Sequence, residues 1–260
     1  MINDFYLYRH AWISAPHFNR QLSDAECDEL LKHGGWMVRN TYDFDQKEES
    51  DFWYIIKDSF GGMDELSPSV RRSIRKSLKS FNYRLIEKKL IEEQGYSIMK
   101  KAFDNYAVQE ITMNKQVFLD FLDHWDENSH EFWGIFTKND DKFVGFSVVR
   151  VYDNVCFYDR LVIDPTYKNK FSYGFYYKRN EYYFVEKGYK FVTDGTRSIT
   201  EHSNIQTFLV QKFKYRKAYC KLKIRYKWWF GAIVRVLLPF RKLIRNRNVK
   251  AVLNMHMMQY

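Results

Sequence analysis

The stretch from Phe132 to Trp228 constrains the fold more than any other, because its turn residues and apolar runs fix one order of elements. Two alternating apolar runs, Phe132 to Thr137 and Lys142 to Val151, flank Lys138-Asn139-Asp140-Asp141, a hairpin turn whose Asn and Asp residues tolerate left-handed backbone. A third strand, Val155 to Ile163, is stopped by Asp164-Pro165. Phe171 to Lys187 then carries enough bulky residues for a helix, ended by Gly188 where a left-handed cap is wanted. Tyr189 to Thr193 reads as a buried strand reaching Asp194-Gly195, and a second helix starts near Ser203 or Asn204. An aromatic and basic strand pair closes the unit between Lys214 and Trp228. Strands with helices interposed late in the order predict an α/β or α+β layered domain.

That order, with Ile163-Asp164-Pro165-Thr166-Tyr167-Lys168 after the third of these strands and Phe213-Lys214-Tyr215-Arg216-Lys217-Ala218-Tyr219 after the last helix, resembles the GNAT acyltransferase fold. In that likeness Asn82 to Lys89 is the first strand, and Gly95 to Val108 and Asn114 to Trp125 are the two helices that follow it. Within the superfamily the chain is similar to the Fem-like branch, whose members move aminoacyl or acyl groups onto amines and include peptidoglycan-bridge transferases. Ser67-Pro68-Ser69-Val70-Arg71-Arg72-Ser73-Ile74-Arg75-Lys76-Ser77-Leu78-Lys79 is similar to the basic helix those proteins place before an early strand. Gly188-Tyr189-Lys190-Phe191-Val192-Thr193-Asp194-Gly195 resembles their glycine, strand and Asp-Gly run. The expected architecture is a GNAT-like α/β mixed sheet flanked by helices over 82–228, with an N-terminal extension over 1–81 and a basic helical C-terminal tail over 229–260.

The resemblance implies an N-acyltransferase that moves an acyl group from acyl-CoA, acetyl-CoA included, to an amine acceptor by direct attack. The runner-up is a Fem-like transferase that takes an aminoacyl group from aminoacyl-tRNA, and a third reading is a catalytically silent relative that binds anionic membrane or nucleic acid. In GNAT enzymes the loop after the third of these strands holds the pyrophosphate of coenzyme A on backbone N–H groups at a helix start. By that likeness the cofactor-binding residues are Leu161, Ile163, Lys168, Asn169, Lys170 and Asn204, although Asn204 can equally cap the helix it opens. Lys168 stands where the family often has Arg, but Asn169, Phe171 and Tyr173 occupy its usual glycine positions, where side chains hinder close approach of a diphosphate.

Amide formation needs a base for the amine and donors for the developing oxyanion. Asp159 lies in the apolar strand in alternation with Phe157 and Leu161, so it is expected on one side with them as a partly enclosed carboxylate, either a base or the ion-pair partner of Arg160 or Lys168. Asp194, at the end of the next strand, is a second candidate base or an ordinary turn residue. The family's proton-donating Tyr maps to Val210, which cannot donate, and Tyr219 is the nearby substitute. The seven histidines make no metal-ligand spacing with cysteines or acids, so no metal is expected.

Charge is unevenly placed. The net charge is +10, yet residues 202–260 hold 14 Lys or Arg and no acid, whereas residues 1–201 hold 28 basic and 32 acidic side chains. Such a block attracts a polyanion: tRNA, an anionic membrane surface or a phosphorylated cofactor. Trp228 to Phe240 is strongly apolar but spans 13 residues and contains Arg235, too short for a membrane-crossing helix. Read as one helix to about Asn248, kinked at Pro239, it puts Trp229, Ile233, Val236, Leu237, Phe240, Leu243 and Ile244 on one side and Arg235, Lys242 and Arg245 on the other. That pattern fits either a membrane interface or a helix packed on the protein's own sheet. Three scattered cysteines and an N-terminus without a basic-then-apolar signal predict a cytoplasmic protein, with a peripheral place at the inner membrane face if the tail meets lipid. Near the N-terminus, Ser23 and Glu26 form a capping box for a helix over Leu22 to His33, and the acidic Asp43 to Asp51 is the expected flexible loop.

Overall fold

The computed structural model describes residues 5–8, 10–15, 18–105, 112–168, 171–199 and 204–259. Along the chain run β1 (Phe5–Tyr8), β2 (Ala11–Ser14), α1 (Asp24–Lys32), β3 (Met37–Gln46), β4 (Phe52–Lys57), α2 (Pro68–Ser80), β5 (Phe81–Ile86), α3 (Lys88–Asp104) and α4 (Lys115–Asp123). Then come β6 (His130–Thr137), β7 (Phe143–Tyr152), β8 (Val155–Ile163), α5 (Ser172–Glu181), β9 (Phe191–Thr196), α6 (Asn204–Phe213), β10 (Arg216–Tyr226), α7 (Trp228–Leu237) and α8 (Arg247–His256). They divide into a central unit, Ile56–Asp194 with Phe208–Tyr215, and a terminal unit, Met1–Ile55 with Gly195–Thr207 and Arg216–Tyr260.

In the central unit the strand order is β9-β8-β7-β6-β5. Neighbours from β5 to β8 are antiparallel and β8 pairs β9 in parallel. The β6–β7 hairpin turns where Asn and Asp were expected to turn it, with Asp141 at φ 46°. Its inward residues Phe132, Phe136, Phe146 and Val148 pack against Ile91 and Met99 of α3 and Phe118 and Leu122 of α4. Each fully buried side chain of this size contributes about 1.5–3 kcal/mol. Helix α3 begins at Lys88, well before the expected Gly95, because Ile91, Gly95, Ile98, Met99 and Ala102 already follow helical spacing. Gly95 is not a breaker here: a Cβ on it would stand 3.3 Å from Phe146 and 3.4 Å from Phe118, so its bareness lets the helix lie close to the sheet.

Helix α2 starts as its sequence dictates, with the Ser67 hydroxyl accepting from the Val70 N–H and Pro68 in the first turn. Helix α5 is shorter than Phe171 to Lys187. It gives way to a π-helical turn over Tyr182–Glu186, and Gly188, at φ 66°, ends the segment.

In the terminal unit the order is β1-β2-β3-β10-β4. Here β1–β2 and β3–β10 are antiparallel and β2–β3 parallel. The Ser23–Glu26 capping box forms in full, and α1 lays Cys27, Leu30 and Leu31 on Phe5, Trp12 and Val38. Two expectations fail in this unit. The supposed strand pair between Lys214 and Trp228 is one strand, β10: no Gly or Pro breaks it, and Ala218, Cys220, Leu222 and Ile224 alternate inward without interruption. The supposed loop from Asp43 is strand as far as Gln46, because its acids are neutralised across the ladder, Asp43 by Lys221 at 3.0 Å and Asp45 by Arg216 at 2.6 and 2.7 Å.

The chain after β10 is also not one kinked helix. Helix α7 stops at Leu237, Pro239 sits in a 3₁₀ turn over Leu238–Phe240, and α8 starts afresh on the Asn246 cap. Among the described residues no helix is long and apolar enough to cross a membrane.

Candidate functional site

Strand β8 is paired differently on its two sides. Toward β7 the ladder runs from Tyr152↔Val155 to Gly145↔Ile163 with one bulge, where the register steps from Val149↔Tyr158 to Val148↔Arg160 and leaves Asp159 as the extra residue. Toward β9 the pairing ends after Val155↔Phe191, Cys156↔Val192 and Phe157↔Thr193, although β8 continues to Ile163. Asp194 is the first residue of β9 past the last pair, at the carboxyl end of two parallel strands where α/β sheets gather ligands.

Asp194 is half-buried. Burial pushes its carboxyl up to about 7, and the positive Arg179 guanidinium opposes that rise. Among the described residues no side-chain hydrogen bond holds the carboxyl. Beneath it lies a polar cluster that sequence reading missed. Arg179 of α5 is 1% exposed, lies 3.5 Å over the Tyr158 ring and donates from Nη1 to Ser147 Oγ at 2.8 Å. The Ser147 hydroxyl in turn donates to the Arg160 carbonyl at 2.7 Å, on the bulged stretch. The hydroxyls of Tyr158 and Tyr215 both donate to Asn180 Oδ1, at 2.9 and 2.8 Å. Arg179 Nε and Asn180 Nδ2 are buried without a hydrogen-bond partner. The signal was available: Tyr176, Arg179, Asn180 and Tyr183 share one helical face, so the charged residue falls in the buried phase.

The remaining candidates separate. Asp159 is exposed, not enclosed, because the bulge breaks the alternation with Phe157 and Leu161; its carboxylate faces Arg150 at 3.9 Å, rather than Arg160 or Lys168. Leu161 and Ile163, opposite Ser147 and Gly145 on β7, alternate with the buried Val162 and are partly exposed. After them Asp164 fixes the start of the loop, accepting from the Thr166 N–H at 3.1 Å and pairing with Lys101 at 3.1 Å. Lys168 is exposed, just after the 3₁₀ turn Pro165–Tyr167. Asn169, Lys170 and the Asn204 side chain lie outside the described residues.

The Phe171 side chain is buried, and its carbonyl accepts from the Ser77 hydroxyl at 2.9 Å and the Tyr83 hydroxyl at 2.8 Å, so the start of α5 is tied to α2 and β5. Tyr219 is on β10 in the terminal unit, paired with Gln46; burial, then a hydrogen bond to Glu49, raises its hydroxyl above the ordinary tyrosine value. Among the described residues no group of three or more His, Cys, Asp or Glu could hold a metal. A groove of about 940 Å³, lined among others by Lys227, Trp228, Arg235 and His256, lies in the terminal unit and contains none of these candidates.

No family model matches this sequence, and neither does any curated protein. Solved structures do. L-PGS from Bacillus licheniformis is similar over 98% of this chain and 85% of its own, at 10% identity and a TM-score of 0.53. The structure of FemX is similar over 75% of this chain and 73% of its own, at 9% identity and a TM-score of 0.52. The C-terminal domain of an Agrobacterium fabrum protein named for lysylphosphatidylglycerol synthesis covers 89% of this chain and 82% of its own, at 9% identity and 0.51. In fold, then, the chain is like the solved structures of L-PGS and FemX.

Proposed function

We propose that the protein transfers an acyl group from an activated donor to an amine, with Asp194 as the base. The observation that carries this reading is the parting of β8 from β9 beside a carboxyl group pushed up to about 7. A carboxyl with that value is about half ionised near neutral pH, and its ionised form is a stronger base than an ordinary carboxylate. The amine nitrogen attacks the donor carbonyl carbon, its proton passes to Asp194, and the bond from carbonyl carbon to the donor's sulfur or oxygen breaks as Asp194 hands that proton to the leaving group. Backbone N–H groups of Tyr158 to Ile163 that point away from β7 would face the developing oxyanion. Leu161 and Ile163 would lie along the donor, with Lys168 near its phosphates. Tyr219 is not needed for this scheme, and Asp159 serves in it as the partner of Arg150.

Acyl-CoA is the first donor to test, on the grounds of fold. Aminoacyl-tRNA is the second reading, favoured by one observation: Phe171 and Tyr173 stand at the start of α5, where a diphosphate would need bare backbone. Calorimetry with acetyl-CoA and longer acyl-CoAs, beside filter binding with charged tRNA, separates the two. Saturable binding of one class that is followed by amide formation supports the reading, and binding of neither contradicts it.

A further inference from the structure

Helix α7 has one side turned inward and one left bare. Val234 is buried, whereas Trp228 is 85% exposed, Val236 67% and, beyond the 3₁₀ turn, Leu243 78%. Trp228, Ala232 and Val236 recur at every fourth position of α7 and are all exposed, and Phe240 in the turn that follows is exposed as well. Isolated apolar side chains on a surface need no explanation, but a row of this length does.

The cations after β10 differ from those on it. Along β10 four basic side chains are paired with acids: Arg216 with Asp45, Lys221 with Asp43, Lys223 with Asp24, and Arg225 with Asp24 and Asp28. After β10 the chain has no acid at all. Arg235, Lys242, Arg245 and Lys250 are exposed, and among the described residues none of them has an ion pair. The groove beside α7 shares Trp228 and Arg235 with this surface and adds Lys227.

We propose that this face is a docking surface for an anionic lipid bilayer, with α7 and the turn after it lying in the plane of the interface. A bilayer matches both halves of the pattern: its acyl boundary takes the apolar row, its charged headgroups take the unpaired cations, and Trp228 sits at the level that indole rings prefer. A nucleic acid backbone would satisfy the cations but leave Val236, Phe240 and Leu243 in water. The helix lies on the membrane and does not span it. This inference does not rest on the transferase reading, since none of these residues belongs to the site at Asp194.

The test is co-flotation of the full chain with phosphatidylcholine vesicles, with and without phosphatidylglycerol, over a range of salt. Binding to the anionic vesicles alone, weakening with salt, is expected. Val236→Glu and Leu243→Glu, both at exposed positions, should each lower partitioning about tenfold or more. Arg235→Gln should lower it about fivefold. An unchanged melting temperature shows that the variants remain folded. No flotation with phosphatidylglycerol vesicles, or equal flotation of wild type and variants, overturns the proposal. So does a result in which the variants lose tRNA retention but keep vesicle binding, or split a dimer that never binds vesicles. Calorimetry with the donors on the same samples reads the transferase reading separately.

Discussion

The two flanks of β8 show how one strand can serve both as scaffold and as site. Its antiparallel ladder to β7 closes as far as Ile163, and the carboxylate placed there, Asp159, is pushed out by a bulge into solvent beside Arg150. Its parallel ladder to β9 stops after Phe157↔Thr193, and the carboxyl just beyond, Asp194, is half-buried and pushed up to about 7. The residue type is the same on both flanks, and the closure of the ladder differs. The bulge leaves Asp159 to water, whereas the end of the pairing with β9 puts Asp194 in a low-dielectric place for an acid.

The comparison is most exposed to kinetics. Asp194→Asn should lower kcat/KM toward the amine by about 10²–10⁴-fold and abolish its rise with pH through 7, while Asp159→Asn should change it by less than about fivefold. Equal losses in steady-state assays would erase the distinction between the flanks. On the closed side the effect is structural: Phe146→Ala should cost about 3–5 kcal/mol in denaturant unfolding, because it empties the contact between β7, α3 and α4.

The sign of the Asp194 linkage gives a third test. Its pKa is higher folded than unfolded, so its stabilising effect is full below about 3.8 and is lost as pH rises through about 7. Asp194→Asn should therefore be more stable than wild type above pH 7, on the order of 2–4 kcal/mol, and not at pH 4. Arg179→Met should move the midpoint of the pH–rate profile up by about one pH unit, since the cation that opposes the rise is gone, and Arg179→Lys should bring it part of the way back. The smallest effect belongs to Asp159→Ala, less than about 1 kcal/mol in the same unfolding assay, because its contact with Arg150 is long, at 3.9 Å, and Asp159 itself is exposed.

Sequence alone conveyed the parts of the fold that local chemistry dictates. Ser67-Pro68 starts α2, Ser23 and Glu26 cap α1, Asn and Asp turn the β6–β7 hairpin, and Gly188 ends the segment after α5. It misjudged what depends on partners distant in the chain. Asp43 and Asp45 read as loop because their neutralising partners, Lys221 and Arg216, lie some 170 residues away. The bulge at Asp159 carries no Gly or Pro to mark it, so the alternation looked unbroken. Of the candidate base pair, Asp194 was legible from its strand end. Arg179 was hidden in an aromatic helix, where only the phase shared with Tyr176 and Tyr183 tells its burial.

The account turns on the parted end of β8 and β9 receiving an activated carbonyl donor. Carbon-13 NMR of the Asp194 carboxyl and of the Leu161 and Ile163 methyls, recorded across pH and with increasing acyl-CoA or charged tRNA, tests it directly. The account predicts titration of Asp194 near 7 and saturable shifts of all three residues with one donor class. Titration near 4, with all three unmoved by either donor, would contradict it.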